Sequence, residues 1–120
     1  LVMASNYTVT LYAIAESLLT SLGVDMSAAD QALDALLPAT VENLRVTGIP
    51  DALTGPLVRS DAGTIAAHLR ALGAVDGQLV EIYRQLGRLT YPLLRARGIA
   101  PEAVEQVFEQ QDVNHAHHSP

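Results

Sequence analysis

The segment that decides the fold class is residues 27–44, SAADQALDALLPATVENL. Its apolar positions recur every three or four residues, which is the spacing of one helix face and not the alternation of a strand. These positions are Leu33, Leu36, Leu37, Thr40, Val41 and Leu44. The pattern predicts a helix that begins near Ser27, with Asp30 completing a capping box, and that bends at Pro38 because proline cannot donate a hydrogen bond to the preceding turn.

The same spacing continues on both sides of this segment. An apolar helix from about Tyr7 to Leu22 precedes it, and Gly23 ends that helix because glycine adopts the left-handed conformation at little cost. This first helix is apolar on so many sides that we expect it to lie centrally and to take part in a homodimer.

Residues 47–60 contain two Gly and two Pro, which predict an irregular segment.

Three further helices follow the irregular segment. The third runs from about Asp61 to Leu72 and ends at Gly73, and the fourth runs from about Asp76 to Arg97. A short fifth helix begins at Pro101, and the chain frays after Gln111. The fourth helix carries on one face Leu79, Ile82, Tyr83, Leu86, Leu89, Thr90 and Leu93, and Pro92 predicts a kink near Arg88. The apolar positions of the fifth helix are Val104, Val107 and Phe108. No segment has the period of a strand, so we predict an all-α bundle of about five helices.

Length and composition restrict the function classes. The chain has 120 residues, of which 49% are hydrophobic and 17% charged, so we expect one domain over residues 1–111 and a flexible tail over residues 112–120. The net charge is −6 and all seven basic residues are arginine, which argues against nucleic acid as a partner. The absence of cysteine excludes disulfides and thiolate metal sites. No apolar stretch reaches about 20 residues, so no membrane span is expected. We expect a cytoplasmic location.

The most informative motif is residues 53–64, LTGPLVRSDAGT. A Gly-Pro turn brings Arg59 to the start of a helix, where free backbone N–H groups favour an anion and the guanidinium suits a carboxylate or phosphate. In the alternative interpretation this is a plain turn, Ser60 or Asp61 is a helix cap, and Arg59 is a solvated charge.

Two other polar residues are candidates on helical spacing. His68 follows Asp61 by seven residues, so it could face the same pocket and donate a proton; alternatively it is a surface histidine. Asn6 begins a line of small polar residues, which could contact a ligand or could be a packing stripe. The tail histidines His115, His117 and His118 could bind metal without forming a genuine site, and Glu102, Glu105 and Glu109 fit the wet face of the fifth helix.

Four stretches carry a resemblance to a known family. They are MASNY (residues 3–7), ATVENL (39–44), LTGPLVRSDAGT (53–64) and His68-Leu69. The chain resembles, over residues 1–98, the helical C-terminal domain of bacterial Rossmann-like oxidoreductases, a domain of unknown function. These enzymes are distant relatives of ketopantoate reductase, pyrroline carboxylate reductase and phosphogluconate dehydrogenase. The family tends to have glycine where this chain has Ser60.

The resemblance implies a two-domain enzyme that reduces a carbonyl or imine of a small acidic metabolite. NADP or NAD would be bound mainly by an N-terminal Rossmann-like domain, which we expect upstream because the chain begins at Leu1 without methionine and within a helical pattern. The residues implied for substrate binding are Thr54, Gly55, Arg59 and Thr64, and those implied for catalysis are Asn6, Asp61 and His68. In this scheme Arg59 binds the acidic group and Asn6 orients the group that receives hydride.

Two other functions stay open. A stand-alone helical dimerisation or regulatory module would have its natural start near Leu1, whereas an enzyme would have a strand and a Gly-x-Gly-x-x-Gly turn upstream. A small metal protein that uses the histidine tail would retain stoichiometric metal after dialysis against a chelator.

Overall fold

The computed structural model describes residues 1–116, and the side chains of residues 1–110. Within that range the chain forms five α-helices and no strand, which confirms the all-α prediction. The helices are α1 (Asn6–Ser21), α2 (Met26–Thr47), α3 (Ala62–Val75), α4 (Gly77–Ala96) and α5 (Glu102–Ala116). Contacts group the chain into two compact units, a first unit of Leu1–Val46 and a second unit from Thr47 onward. None of the described helices is long and apolar enough to cross a membrane.

The first unit consists of α1 and α2, joined by a short turn. Gly23 has a φ of 90°, which is the left-handed ending predicted for the first helix. The predicted cap at Ser27 is wrong, because the Asp25 carboxylate accepts hydrogen bonds from the backbone N–H of Ser27 at 2.9 Å and of Ala28 at 3.2 Å. An ionised carboxylate is a stronger acceptor than a serine hydroxyl, so α2 begins directly after Asp25.

Burial in the first unit is sparse. No residue of α1 is buried, and in α2 only Ala29 and Leu33 are. The apolar face of α2 is therefore largely uncovered beyond Leu33: Leu36 is 61% exposed and Val41 is 53% exposed. The central position expected for α1 is wrong within this unit as well. Two helices cover only the sides that face each other, so periodicity predicted the helices correctly and their burial incorrectly.

The second unit contains the main hydrophobic core. Its buried cluster joins α3, α4 and α5 and consists of Ile65, Leu69, Val80, Tyr91, Leu94, Val104, Val107 and Phe108. Helix α3 begins after Asp61, as predicted, but continues past Gly73 to Val75. Asp76 then ends α3 and caps α4, where its carboxylate accepts a hydrogen bond from the backbone N–H of Gln78 at 2.9 Å. The predicted start of α4 is thus confirmed.

The apolar face that the sequence pattern marks on α4 is not the face that the structure buries. The buried positions are Val80, Arg84, Gly87, Tyr91 and Leu94, whereas Leu89 is 70% exposed. Gly87 is buried because the Phe108 ring packs on it so closely that a Cβ there would lie 2.7 Å from the ring. Arg84 is buried with its guanidinium bonded to the Glu81 carboxylate at 2.8 Å and near the Phe108 carbonyl at 3.4 Å. A pattern of apolar residues contains neither a glycine nor an arginine, so it indicated the neighbouring face.

Helix α5 confirms the three predicted core residues and corrects two other predictions. Glu105 is not simply a wet residue, since its carboxylate binds the Arg88 guanidinium at 3.1 Å and accepts a hydrogen bond from the Tyr91 hydroxyl. The helix also continues past Gln111 to Ala116. The metal-binding prediction for the tail lies outside the described residues: it concerns His117, His118 and the side chain of His115. Among the residues described, no group of three His, Cys, Asp or Glu could hold a metal ion.

Candidate functional site

The irregular segment between α2 and α3 is fixed on the core of the second unit. Leu53, Leu57 and Val58 pack against the buried cluster. At the end of α4, the Arg97 guanidinium donates a hydrogen bond to the Leu53 carbonyl at 2.7 Å. Gly55 has a φ of 97°, which only glycine adopts easily, and it turns the chain sharply. Residues 54–57 are therefore held in place as one wall of a site.

A cavity opens between this wall, α3 and α4, and we call it the groove. Its volume is about 310 Å³, at the small end of the range of ligand pockets. The residues that line it are Thr54, Pro56, Leu57, His68, Tyr83, Leu86, Gly87 and Thr90. Its walls are mainly apolar, with a few polar side chains, which is the usual composition of a small-molecule site.

The most notable polar feature of the groove is a histidine–tyrosine pair. His68 Nδ1 lies 3.0 Å from the Tyr83 hydroxyl, and the two rings meet edge to face at 5.9 Å. The Tyr83 ring in turn meets the buried Phe108 ring edge to face at 6.3 Å. Burial raises the pKa of Tyr83 above its ordinary value, so its hydroxyl keeps its proton at neutral pH.

The predicted cap of α3 is confirmed at Asp61. Its carboxylate accepts hydrogen bonds from the backbone N–H of Thr64 at 3.2 Å and from the Thr64 hydroxyl at 2.7 Å. These bonds, with a smaller contribution from the charge of Arg59, lower the pKa of Asp61. An ionised carboxylate can accept a proton but has none to give. The geometry therefore favours a helix cap at Asp61 over a general acid, and neither Asp61 nor Thr64 lines the groove.

Three other candidates lie outside the lining of the groove. The Arg59 side chain is exposed and makes no hydrogen bond or ion pair with the described part of the chain. Gly55 lies between Thr54 and Pro56, which do line the groove. Asn6 belongs to the first unit, where it is exposed in the first turn of α1 and its carbonyl accepts a hydrogen bond from the Thr10 hydroxyl at 3.3 Å. Of the predicted site residues, the structure thus brings Thr54 and His68 together in the groove.

Sequence reasoning missed the contribution of α4 to the site. The pattern places Tyr83, Leu86 and Thr90 on one apolar face of α4 and gives no signal for Gly87. They are spaced at three, four and seven residues, so they share one side of α4. Two polar residues within an otherwise leucine-rich stripe were the signal that this side is only partly buried.

The comparisons with known proteins identify a family but no characterised relative. The family model that matches is described as a domain of unknown function, DUF2520, and it matches residues 1–90. The matched range contains every residue that lines the groove. No curated protein and no solved structure matches the chain. Because the match covers three quarters of the sequence, the chain belongs to the family of this domain of unknown function, DUF2520.

Proposed function

We propose that the second unit is the substrate-binding part of an NAD(P)-dependent oxidoreductase that reduces a carbonyl or imine of a small acidic metabolite. The class of reaction comes from the resemblance of the sequence to Rossmann-like oxidoreductases. The observation that carries the proposal is the groove, whose volume of about 310 Å³ suits a small metabolite and whose apolar walls hold the His68–Tyr83 pair.

Arg59 is the residue proposed to bind the acidic group. The N terminus of α3 is the other candidate for an anion, but the Asp61 carboxylate already accepts the Thr64 N–H there. The Asp61 carboxylate would repel a second negative charge at that place, so the N terminus of α3 is disfavoured as an anion site. Arg59 is exposed, and it follows the groove wall by two residues. Its guanidinium is therefore the group of this segment with donors to offer a carboxylate.

The cofactor chemistry is assigned to a separate segment of polypeptide. The nicotinamide would supply the hydride. In the part of the chain that the structure describes, no strand leads through a glycine-rich turn into a helix, which is the arrangement that holds a dinucleotide pyrophosphate. The residues of the second unit are proposed to bind the substrate, to shield it from water and to orient it.

A titration of the chain with 3-methyl-2-oxobutanoate, a small branched 2-oxo acid, tests the proposal. We expect NMR chemical-shift changes at Thr54, Leu57 and Tyr83 in the intact chain. Arg59→Ala should raise the dissociation constant about tenfold, since a hydrogen bond to a charged group is lost. Arg70→Ala, which removes another exposed arginine from α3, is the matched control and should leave the constant within about twofold.

Two results would contradict the proposal. One is the absence of shift changes in the groove with this acid and with its shorter homologue pyruvate. The other is unchanged substrate affinity and turnover of the complete enzyme after Arg59→Ala. Asn6→Ala is tested in the same complete enzyme, where a fall in turnover larger than the change in KM supports its role in orienting the reacting group.

A second candidate function is a helical dimerisation or regulatory module without catalysis. The observation that favours it is the apolar surface of the first unit, where Tyr7, Val9, Val41 and Val46 are exposed. Such a surface is expected to be covered by another protein surface, and we propose a second copy of this chain. Sedimentation should show a dimer at micromolar concentration, and a clean monomer would contradict dimerisation. A dimer whose groove binds no oxo acid would favour the module over the enzyme.

A further inference from the structure

The polar residues of the groove differ in whether their protons are available. Thr90 donates its hydroxyl proton to the Leu86 carbonyl at 2.7 Å, one turn earlier in α4. Its donor is therefore used inside the helix. Tyr83 and His68 have each other as partner, at 3.0 Å. The donors available to a ligand are therefore those of this pair and the hydroxyl of the exposed Thr54.

The His68–Tyr83 pair keeps one donor in either arrangement of its protons. If the Tyr83 hydroxyl donates to Nδ1 of a neutral His68, the Nε2–H of His68 remains available. If His68 is protonated at Nδ1, that N–H donates to the Tyr83 oxygen and the Tyr83 hydroxyl proton is released for another acceptor. The raised pKa of Tyr83 means that this phenol proton is present at neutral pH. The pair is thus suited to a ligand that presents an oxygen acceptor.

The core of the second unit holds Tyr83 in position. Phe108 is fully buried, meets the Tyr83 ring edge to face and stacks on the Tyr91 ring at 6.4 Å with an interplanar angle of 9°. The absence of a side chain at Gly87 allows the Phe108 ring to approach α4 directly beside the groove. A donor whose ring is fixed by packing loses little freedom when a ligand binds, and this lowers the cost of recognition.

We propose that Tyr83 is the ligand-binding hydroxyl of the groove and that His68 is its positioning residue. The groove would then select a small molecule with an apolar body and a carbonyl or carboxylate oxygen at one end. The body would lie against Pro56, Leu57 and Leu86. The proposal rests on the proposed function in its choice of an oxygen-bearing metabolite, and it adds a residue and a ligand class to that site.

The test compares Tyr83→Phe with Tyr7→Phe in the full chain. Tyr83→Phe keeps the ring that packs on Phe108 and removes only the hydroxyl, so the fold should survive; Tyr7→Phe makes the same change at an exposed tyrosine of α1. With 3-methyl-2-oxobutanoate as the probe, Tyr83→Phe should raise the dissociation constant about tenfold. Tyr7→Phe should leave it within about twofold. Equal affinity of Tyr83→Phe and the unchanged chain would overturn the proposal.

The role of His68 needs a readout other than affinity alone. His68→Leu should weaken the probe about as much as Tyr83→Phe does, whereas His68→Gln, whose amide can still bond the Tyr83 hydroxyl, should restore most of the affinity. The imidazole ¹⁵N shifts of His68, which report the nitrogen that carries the proton, should change when the probe binds. Loss of affinity in both His68 variants together with unchanged ¹⁵N shifts would overturn the positioning role.

A neutral probe separates this proposal from the proposed function. Cyclohexanone has an apolar body and a carbonyl but no charge. If the groove binds it through Tyr83 and does not bind the oxo acid, the donor proposal stands and the acidic substrate fails. If the oxo acid binds equally well to Tyr83→Phe, the proposed function stands and the donor proposal fails. If neither probe shifts the groove resonances, both are overturned.

Discussion

The two units of the chain are built from equally convincing helical patterns and differ sharply in what those helices bury. In the first unit, α1 and α2 together bury only Ala29 and Leu33. In the second unit, the three helices surround eight buried residues, including Phe108 at 0% exposure. The contrast shows that the period of a helix predicts that a face exists, whereas the number of neighbouring elements decides whether that face is covered.

The polar contacts of the two units differ in the same way. In the first unit, the Tyr12 hydroxyl lies 3.1 Å from the Asp30 carboxylate and 3.0 Å from that of Asp34, so it joins α1 to acidic groups at the surface of α2. In the second unit, Glu105 joins Arg88 and Tyr91 beside the core, and the Arg88 guanidinium also lies 5.7 Å above the Phe108 ring. Polar groups thus reinforce a packed core in one unit and link two helices at their surface in the other.

The largest expected effect is that of Phe108→Ala. Removing a fully buried ring should lower the free energy of unfolding of the second unit by about 3–5 kcal/mol, because burial is lost and a cavity is left. Val9→Ala in α1, at a residue that is 70% exposed, should change it by no more than about 0.5 kcal/mol. Urea denaturation measures both. A large effect of Val9→Ala would show that α1 is covered in solution, which is the outcome expected of a dimer.

The next effect is a contrast between two glycines inside helices. Gly87→Ala should destabilise the second unit by about 1–3 kcal/mol, since the new Cβ would lie 2.7 and 2.9 Å from Phe108 ring atoms. Gly73→Ala meets only the Val80 side chain at 3.5 Å and should stabilise α3 by up to about 1 kcal/mol through helix propensity. Thermal melting of both variants gives the signs. A stabilising Gly87→Ala would mean that Phe108 can move away from α4.

These glycines show which parts of the fold the sequence could predict. The helices, the irregular segment and the cap at Asp61 follow from local rules about periodicity, proline, glycine and short polar side chains. The buried side of α4 does not, because it is chosen by the fit of Phe108, 21 residues away, against Gly87. Arg84 pairs with Glu81 at the i,i+3 spacing that a local rule indicates, but that rule does not predict its burial beside the Phe108 carbonyl.

The candidate site was predictable to a similar extent. The Gly-Pro turn, and the seven-residue spacing from the cap to His68, support the interpretation in which His68 shares a pocket with this turn, but they leave a surface histidine as the alternative. The sequence did not indicate the part of the site that α4 contributes, above all Tyr83. Helix α4 lines the groove because Leu86 and Thr90 lie at the edge of the core and not within it. The packing between helices decides that position, and the sequence pattern of one helix does not.

The third prediction is that pH acts on the two units in opposite directions. A hydrogen bond from Tyr91, and then the bonds from Arg88, lower the pKa of Glu105, so this group stabilises the second unit above its unfolded pKa of about 4.3. That stability is lost as the pH falls through the lowered folded value. A hydrogen bond to Asp30, and then burial, raise the pKa of Glu16. Its contribution is therefore present below about pH 4.3 and is lost as the pH rises through the raised value.

Amide hydrogen exchange, corrected for the intrinsic rate at each pH, measures the two units separately. Between about pH 4 and pH 6 the protection of α1 and α2 should fall, and that of α4 and α5 should hold or rise. Glu16→Gln should flatten the response of the first unit, and Glu105→Gln should flatten that of the second. Parallel responses of the two units in the unchanged chain would contradict this assignment of the carboxyl groups.

The smallest expected effect is that of Ser60→Gly, at the end of the irregular segment. Ser60 has a φ of 51°, and it is the non-glycine residue with a positive φ in the described part of the chain. A side chain in the left-handed region costs about 1 kcal/mol. Glycine avoids that cost, but its backbone loses more conformational freedom when the chain folds. Ser60→Gly should therefore raise the free energy of unfolding by about 0.5 kcal/mol in urea, whereas Ser60→Ala should not. Because Ser60 does not line the groove, the affinity for 3-methyl-2-oxobutanoate should be unchanged in both variants; a change in Ser60→Gly would show that this backbone conformation sets the position of Arg59.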